Sequence, residues 1–234
     1  MKGVYIVGGY PDIKTYYKQL EILRDSNVDF VEIGIPFNDP VADGEIISKA
    51  INHVIKKKYD VDEIIIPAKE ILKNKKIYIM TYSNLVYKID FNKYNFIRGM
   101  IIADCPNRLH NFFYRNGLNI PIIPFVTANS GEDDLKLIKI KNSEADFIYF
   151  IGLKGTTGSK IDFKNLNLKS KVLEIKKDIG NKRIIIGFGI RNKYHVNQVL
   201  KIADGFVIGT EIVKRQKNLK DFNSFLRYIF YEMH

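Results

Sequence analysis

One cysteine occurs in 234 residues, Cys105, so no disulfide can form within the chain. No apolar run approaches the ~18 residues a membrane-spanning helix needs. The opening MKGVYIVGGYPD breaks its short apolar run with Gly-Gly-Tyr-Pro-Asp, a poor signal peptide, and cytoplasm is the default compartment. Nowhere do proline or serine concentrate into a linker, and no segment has low complexity, so a single domain over 1–234 is expected. No pair among the four histidines (His53, His110, His195, His234) has metal-ligand spacing, which argues against a metal site. No Ser–His–Asp or Cys–His set stands out, and Cys105 reads as a loop or packing residue.

What is plentiful is positive charge, with 37 Lys and Arg against 26 Asp and Glu, a net charge of +11. The lysines spread over the surface helices, with only short clusters such as Lys56–Lys58. They are not interleaved with aromatics, and no zinc, helix-turn-helix or RNA-recognition signature accompanies them, which disfavours nucleic acid. A positive field still attracts small anions such as phosphate esters.

Short apolar, β-branched runs recur at 3–9, 28–36, 76–82, 97–106, 120–128, 146–155, 182–190 and 203–211. Several are nearly continuous, as in strands buried on both faces of a parallel sheet. Helical patterns lie between them, at 12–27, 44–57, 62–74, 163–180 and 192–202. Eight strands alternating with helices predict a (β/α)8 TIM barrel, with a doubly wound open sheet as the alternative. In a barrel the chemistry gathers at the C-terminal ends of the strands.

Three glycine-rich loops fall there: GLKGTTGSK (152–160), GFGI (187–190) and IGTEIVK (208–214). Each alone reads as a tight turn; together they suggest a phosphate cradle, with a short helix starting at Thr210. Carboxylates meet the same face. In VEIGIP, Val31, Ile33 and Ile35 alternate with Glu32 and Gly34, so the apolar set packs outward and Glu32 points into the barrel. Burial there raises a carboxyl's pKa toward values useful in acid–base catalysis, unless a lysine or arginine pairs with it. Asp43 follows a loop stiffened by Pro36 and Pro40 and precedes a helical pattern, so helix cap and catalytic group stand level. Asp39 is a turn residue or a partner contact, and Asp104 is a further carboxylate at this face.

With these residues in place, the sequence resembles the tryptophan synthase α subunit family along almost its whole length. The family pattern ELGIPFSDPxADGPxIQxA reads here EIGIPFNDPVADGEIISKA. MTYSN (80–84), ADCP (103–106), FIYFIGLKGTTG (147–158), GFGI (187–190) and ADGFVIGT (203–210) follow in family order. The resemblance implies a lyase performing the reversible retro-aldol cleavage of indole-3-glycerol phosphate to indole and D-glyceraldehyde 3-phosphate. It implies Glu32 as proton shuttle, Asp43 as the acceptor of the indole N–H, and Tyr149 in contact with that aspartate. Gly158, Gly189, Gly209 and Thr210 would hold the phosphate, Thr157 would orient Asp43, and Tyr5, Met80, Tyr82 and Ala103 would line the indole pocket; barrel packing alone would also account for those four.

By the same resemblance the chain itself carries no cofactor. Its partner is a pyridoxal-phosphate β subunit in an α2β2 complex, contacted through the Asp39–Asp43 loop and the TYSN region. The chain departs from the pattern in starting directly on its first strand, without the family's amino-terminal helix, so the barrel floor must be closed otherwise. Asn38 replaces Ser, Glu45 replaces Pro, Ser48 replaces Gln and Thr210 replaces Ser. Two alternatives remain: a catalytically weak barrel acting as allosteric partner of the β subunit, and another phosphate-binding barrel enzyme.

Overall fold

The computed structural model describes residues 1–38, 44–127, 130–131, 135, 144–151, 166–179 and 182–231. Eight strands form one parallel sheet: β1 (Lys2–Val7), β2 (Phe30–Gly34), β3 (Lys76–Thr81), β4 (Ile97–Ile102), β5 (Phe125–Thr127), β6 (Ile148–Ile151), β7 (Ile184–Ile186) and β8 (Gly205–Ile208). Their order is β4-β3-β2-β1-β8-β7-β6-β5. Strand β4 meets the segment leading into β5 at a parallel bridge between Met100 and Ile122, where Met100 N donates to Pro121 O (2.8 Å) and Ile123 N to Met100 O (2.8 Å). The sheet thus closes as the predicted (β/α)8 barrel.

Alternation along each strand sorts the side chains into two cores. Val4, Ile6, Val31, Ile33, Ile77 and Ile79 face outward to the helices, while Tyr5, Phe30, Tyr78, Ile101, Phe147 and Tyr149 fill the interior. The helices cover the outer set. Helix α1 (Ile13–Arg24) starts at Asp12, whose side chain accepts from Thr15 N, and buries Tyr16, Leu20 and Leu23. Helix α2 (Glu45–Ile55) follows β2, and α3 (Val61–Leu72) opens with a capping box between Asp60 and Glu63. Pro67 lies inside α3 and cannot bond back to the Glu63 carbonyl. The Tyr17 hydroxyl of α1 donates to that carbonyl instead (2.9 Å), so the lost bond is replaced across the helix pair.

The floor of the barrel is an aromatic plug. Phe30, Tyr78 and Phe147 meet with ring centroids 5.1 to 5.6 Å apart. Below them Asp146 accepts from the Tyr78 hydroxyl (2.5 Å), from Lys76 Nζ (3.2 Å) and from Arg98 Nη2 (3.2 Å). The Met1 ammonium donates to Asp204 O (2.6 Å), while Phe206 N donates to Met1 O (3.0 Å).

At the opposite end, two fully buried amides fasten the mouth. Gln216 exchanges hydrogen bonds with the Val7 backbone where the β1 ladder stops, and Gln19 of α1 donates to Gln216 O (2.7 Å). This fixes the short helix α4 (Thr210–Arg215), which begins at Thr210 as predicted, against the end of β1. Among the described residues no helix is long and apolar enough to cross a membrane.

Candidate active site

Glu32 is the third residue of β2, between the outward-facing Val31 and Ile33. Its register places it beside Tyr5 of β1 and Tyr78 of β3. The side chain is fully buried; Oε2 accepts from the Tyr149 hydroxyl (3.2 Å), and Oε1 has no hydrogen-bond partner among the described residues. Burial pushes the carboxyl pKa up to about 8, opposed only by the bond from Tyr149. No lysine or arginine among the described residues pairs with Glu32. Burial pushes the Tyr149 hydroxyl well above its ordinary value, and the neighbouring Glu32 adds to this, so the phenol remains a donor.

Two glycines let the phenols reach this place. A Cβ on Gly187 would lie 2.1 Å from the Tyr149 ring, and one on Gly34 would lie 2.1 Å from the Tyr5 oxygen. Gly187 is therefore required by Tyr149, a reason that turn chemistry and anion binding had not suggested. Gly209 differs: a Cβ there would meet Tyr5 at 3.7 Å, ordinary contact, so packing within the protein does not demand glycine. Gly189 has φ +72°, a left-handed conformation that glycine adopts without strain.

These residues border a cleft enclosing about 530 Å³, part of it open to solvent. Glu32, Tyr5, Met80, Tyr149 and Val207 form its base, Ile47 and Phe188 contribute apolar walls, and Gly189, Arg191, Gly209 and Thr210 form its rim. Of the expected site residues, Glu32, Tyr149, Tyr5, Met80, Gly189, Gly209 and Thr210 come together here. Tyr82 and Ala103 are not in its lining; Tyr82 is buried against Phe37, ring centroids 5.2 Å apart. Asp39, Asp43, Thr157 and Gly158 lie outside the described residues. The N-cap position of α2 is Gly44, one residue beyond Asp43.

Ile47, Phe188 and Arg191 were missed as site residues. Ile47 belongs to the apolar face of α2, while Phe188 and Arg191 lie within or just beyond GFGI, whose glycines carry the motif.

Other groups at this end have structural partners. Asp104 accepts from the Ser83 N–H (2.8 Å) and hydroxyl (3.0 Å). Glu211, next to Thr210, is held by Lys214 (2.5 Å) and Arg215 (2.8 Å); burial raises its pKa, and these cations more than offset that. Glu45 pairs with Lys49 on the surface of α2, which absorbs the departure from proline. Burial lowers the pKa of His110 to about 4 and raises that of Cys105 to about 11, so neither is poised for chemistry at neutral pH. No cluster of three metal-ligating side chains occurs among the described residues.

A sequence model of the tryptophan synthase alpha chain family matches residues 4–227. The chain belongs to this family. The alpha chain of Staphylococcus haemolyticus is 34% identical over 243 residues, covering 96% of this chain and 94% of that one. The Thermotoga petrophila alpha chain is 32% identical over 226 residues, covering 92% and 90%. Among solved structures, the tryptophan synthase subunit alpha from Campylobacter jejuni superposes with a TM-score of 0.83 at 30% identity, over 98% of this chain and 95% of that one. A chain of the tryptophan synthase α2β2 complex from Pyrococcus furiosus, described for its mutual activation, superposes with a TM-score of 0.81 at 25% identity, over 98% and 96%.

Proposed function

We propose that this cleft catalyses the reversible retro-aldol cleavage of indole-3-glycerol phosphate to indole and D-glyceraldehyde 3-phosphate, as a step of tryptophan biosynthesis. The observation that carries the reading is Glu32, a fully buried carboxyl with one oxygen unpartnered among the described residues, at the base of an apolar cleft with a glycine-bearing rim.

With its pKa raised to about 8, Glu32 is protonated near neutral pH and is the acid that delivers a proton to indole C3. The protonated ring draws electrons from the bond between C3 and the glycerol chain. As that bond breaks, its electron pair restores the indole ring, and the adjacent hydroxyl becomes the aldehyde carbonyl. The hydroxyl proton passes to the Glu32 carboxylate, which restores the acid. Tyr149, donating to Oε2, holds the carboxyl in place and stabilises its ionised form. Asp43 is assigned, from its place in the family pattern, to accept the indole N–H and stabilise the cationic ring. Tyr5 and Met80 would contact the indole, and the phosphate would rest on Gly189, Gly209, Thr210 and Gly158, with Thr157 orienting Asp43. Thr210 keeps the hydroxyl of the family's serine.

The chain would act as one domain in the cytoplasm, within an α2β2 complex whose β subunit carries the pyridoxal phosphate and receives the indole. Indole release from indole-3-glycerol phosphate tests this, measured for wild type, Glu32→Gln and Asp43→Asn, with and without a β subunit. Each variant is expected to lose at least ~100-fold in rate, the lower end for a positioned acid–base group. Near-normal turnover in either variant would sink the assigned mechanism. An inactive wild type that still stimulates the β reaction would favour a purely regulatory barrel.

A further inference from the structure

The segment 187–192, between β7 and the next helix, carries two parts of the cleft, the Phe188 wall and the Gly189 rim. It also holds two glycines that stiffer residues cannot replace. Gly187 makes room for the Tyr149 ring, and Gly189 is left-handed at φ +72°. Glycine restrains a backbone least, so this segment has to be held by its surroundings. Ile190 holds it on one side, buried in the outer core. The other hold is His195, half-buried in the first turn of helix α5 (Lys193–Leu200). Asn192 caps that helix by accepting from His195 N (3.0 Å), a bond that uses the backbone and leaves the ring out. The ring folds back over the turn, with Nδ1 3.0 Å from Gly189 O and 3.2 Å from Arg191 N. Nδ1 carries either a proton or a lone pair. As a donor it holds the Gly189 carbonyl, and as an acceptor it holds the Arg191 N–H. In both tautomers one ring atom ties the cleft turn to α5.

We propose that His195 is a positioning residue of this cleft, which clamps the Gly189–Arg191 turn and thereby sets how tightly the cleft holds its substrate. The proposal deepens the lyase reading and rests on it for the identity of the substrate. His195 is not in the cleft lining and acts through the backbone of the turn. That turn fixes the Phe188 ring, which stands edge-on to Tyr149 with ring centroids 6.3 Å apart, and Tyr149 in turn donates to Glu32 (3.2 Å). Wall and rim hold the substrate before and during bond cleavage alike. Loosening them is therefore expected in KM with little change in kcat.

The test compares wild type, His195→Ala and His195→Asn in cleavage of indole-3-glycerol phosphate. Alongside it, hydrogen exchange is measured at the amides of 188–191, which requires no turnover. Asparagine places a donor or an acceptor where Nδ1 stands and can make either bond, whereas alanine makes neither. Both variants keep the backbone N–H that Asn192 caps, so α5 retains its start. His195→Ala is expected to raise KM about 5-fold, as for loss of one hydrogen bond, with kcat within about 2-fold. In His195→Asn, KM should return to within about 2-fold of wild type. The amides of 188–191 should exchange about 5-fold faster in His195→Ala and at the wild-type rate in His195→Asn. An unchanged KM in His195→Ala, a loss confined to kcat, or an asparagine variant as impaired as alanine overturns the proposal while leaving the lyase reading intact. Equal exchange in all three proteins also overturns it. If wild type does not cleave the substrate, the lyase reading falls, and exchange that quickens in His195→Ala but not in His195→Asn still upholds His195 as the clamp of this turn.

Discussion

Glu32 and Asp146 sit at the two ends of one barrel, and their surroundings set them in opposite states. Asp146, at the floor, accepts hydrogen bonds from Tyr78, Lys76 and Arg98. Burial raises its pKa, but these three donors more than offset that and hold it below the usual carboxylate value. Glu32, toward the mouth, has one phenol and, among the described residues, no cation, and its pKa rises to about 8. The aromatic packing around them is similar, Phe30, Tyr78 and Phe147 below and Tyr5 and Tyr149 above. Counterions therefore decide which carboxyl braces the fold and which stays protonated for proton transfer.

The largest effect that would break this contrast is on stability against pH. The folded state holds the Glu32 proton up to about pH 8, whereas the unfolded chain releases it near the ordinary value of 4.5. Between those values the folded state binds the extra proton, so Glu32's contribution to stability declines as pH rises from 4.5 to about 8. Glu32→Gln removes that decline. Denaturant unfolding should show the variant gaining about 3 kcal/mol on wild type between pH 4.5 and pH 7. A difference that stays flat across this window would mean Glu32 is already ionised in the fold.

Asp146→Asn should act in the other direction. Its carboxyl is mostly covered, but Lys76 and Arg98 are 40% and 55% exposed, so screening reduces what the pairs contribute. A loss of about 1–2 kcal/mol at neutral pH is expected, shrinking as pH falls through the lowered pKa of Asp146. Cleavage per folded molecule should stay within about 2-fold, because a floor brace takes no part in positioning substrate. A rate loss near that of Glu32→Gln would make the floor part of the catalytic apparatus.

Much of this was legible in the sequence, and what was not has a physical cause. Seven of the eight strands lie within the apolar runs and β1 starts one residue before its run, because buried parallel strands leave little room for polar residues. The fifth run was expected over 120–128, yet the strand spans only Phe125–Thr127, since Pro121 and Pro124 lack the N–H a ladder needs. Helix α6 (Leu219–Phe230), with Phe222, Phe225, Leu226 and Ile229 on its buried face, was not singled out although its apolar spacing is helical. Glu32 was legible as an inward carboxyl from strand alternation alone. Its lack of a counterion among the described residues was not: Tyr149 is 117 residues away, and the cations that neutralise Asp146 lie 48 and 70 residues away. Gly187 looked like a turn residue because the ring it accommodates belongs to another strand.

The smallest expected effect sharpens the comparison most, because it moves a pKa without removing a carboxyl. Tyr149→Phe deletes the one hydrogen bond among the described residues that favours ionised Glu32, so the Glu32 pKa should rise further, by about 1 unit for a bond to a charged group. If protonated Glu32 delivers the proton, kcat/KM falls at high pH as that proton is lost, and the falling limb reports the free enzyme. In Tyr149→Phe the limb should shift to higher pH by the same amount. Tyr78→Phe removes an equivalent phenol from Asp146, but Lys76 and Arg98 remain on that carboxyl. Its pH–rate profile should coincide with that of wild type. A limb that stays put in Tyr149→Phe, or moves in Tyr78→Phe, would show that the titration seen in the rate belongs to a group other than Glu32.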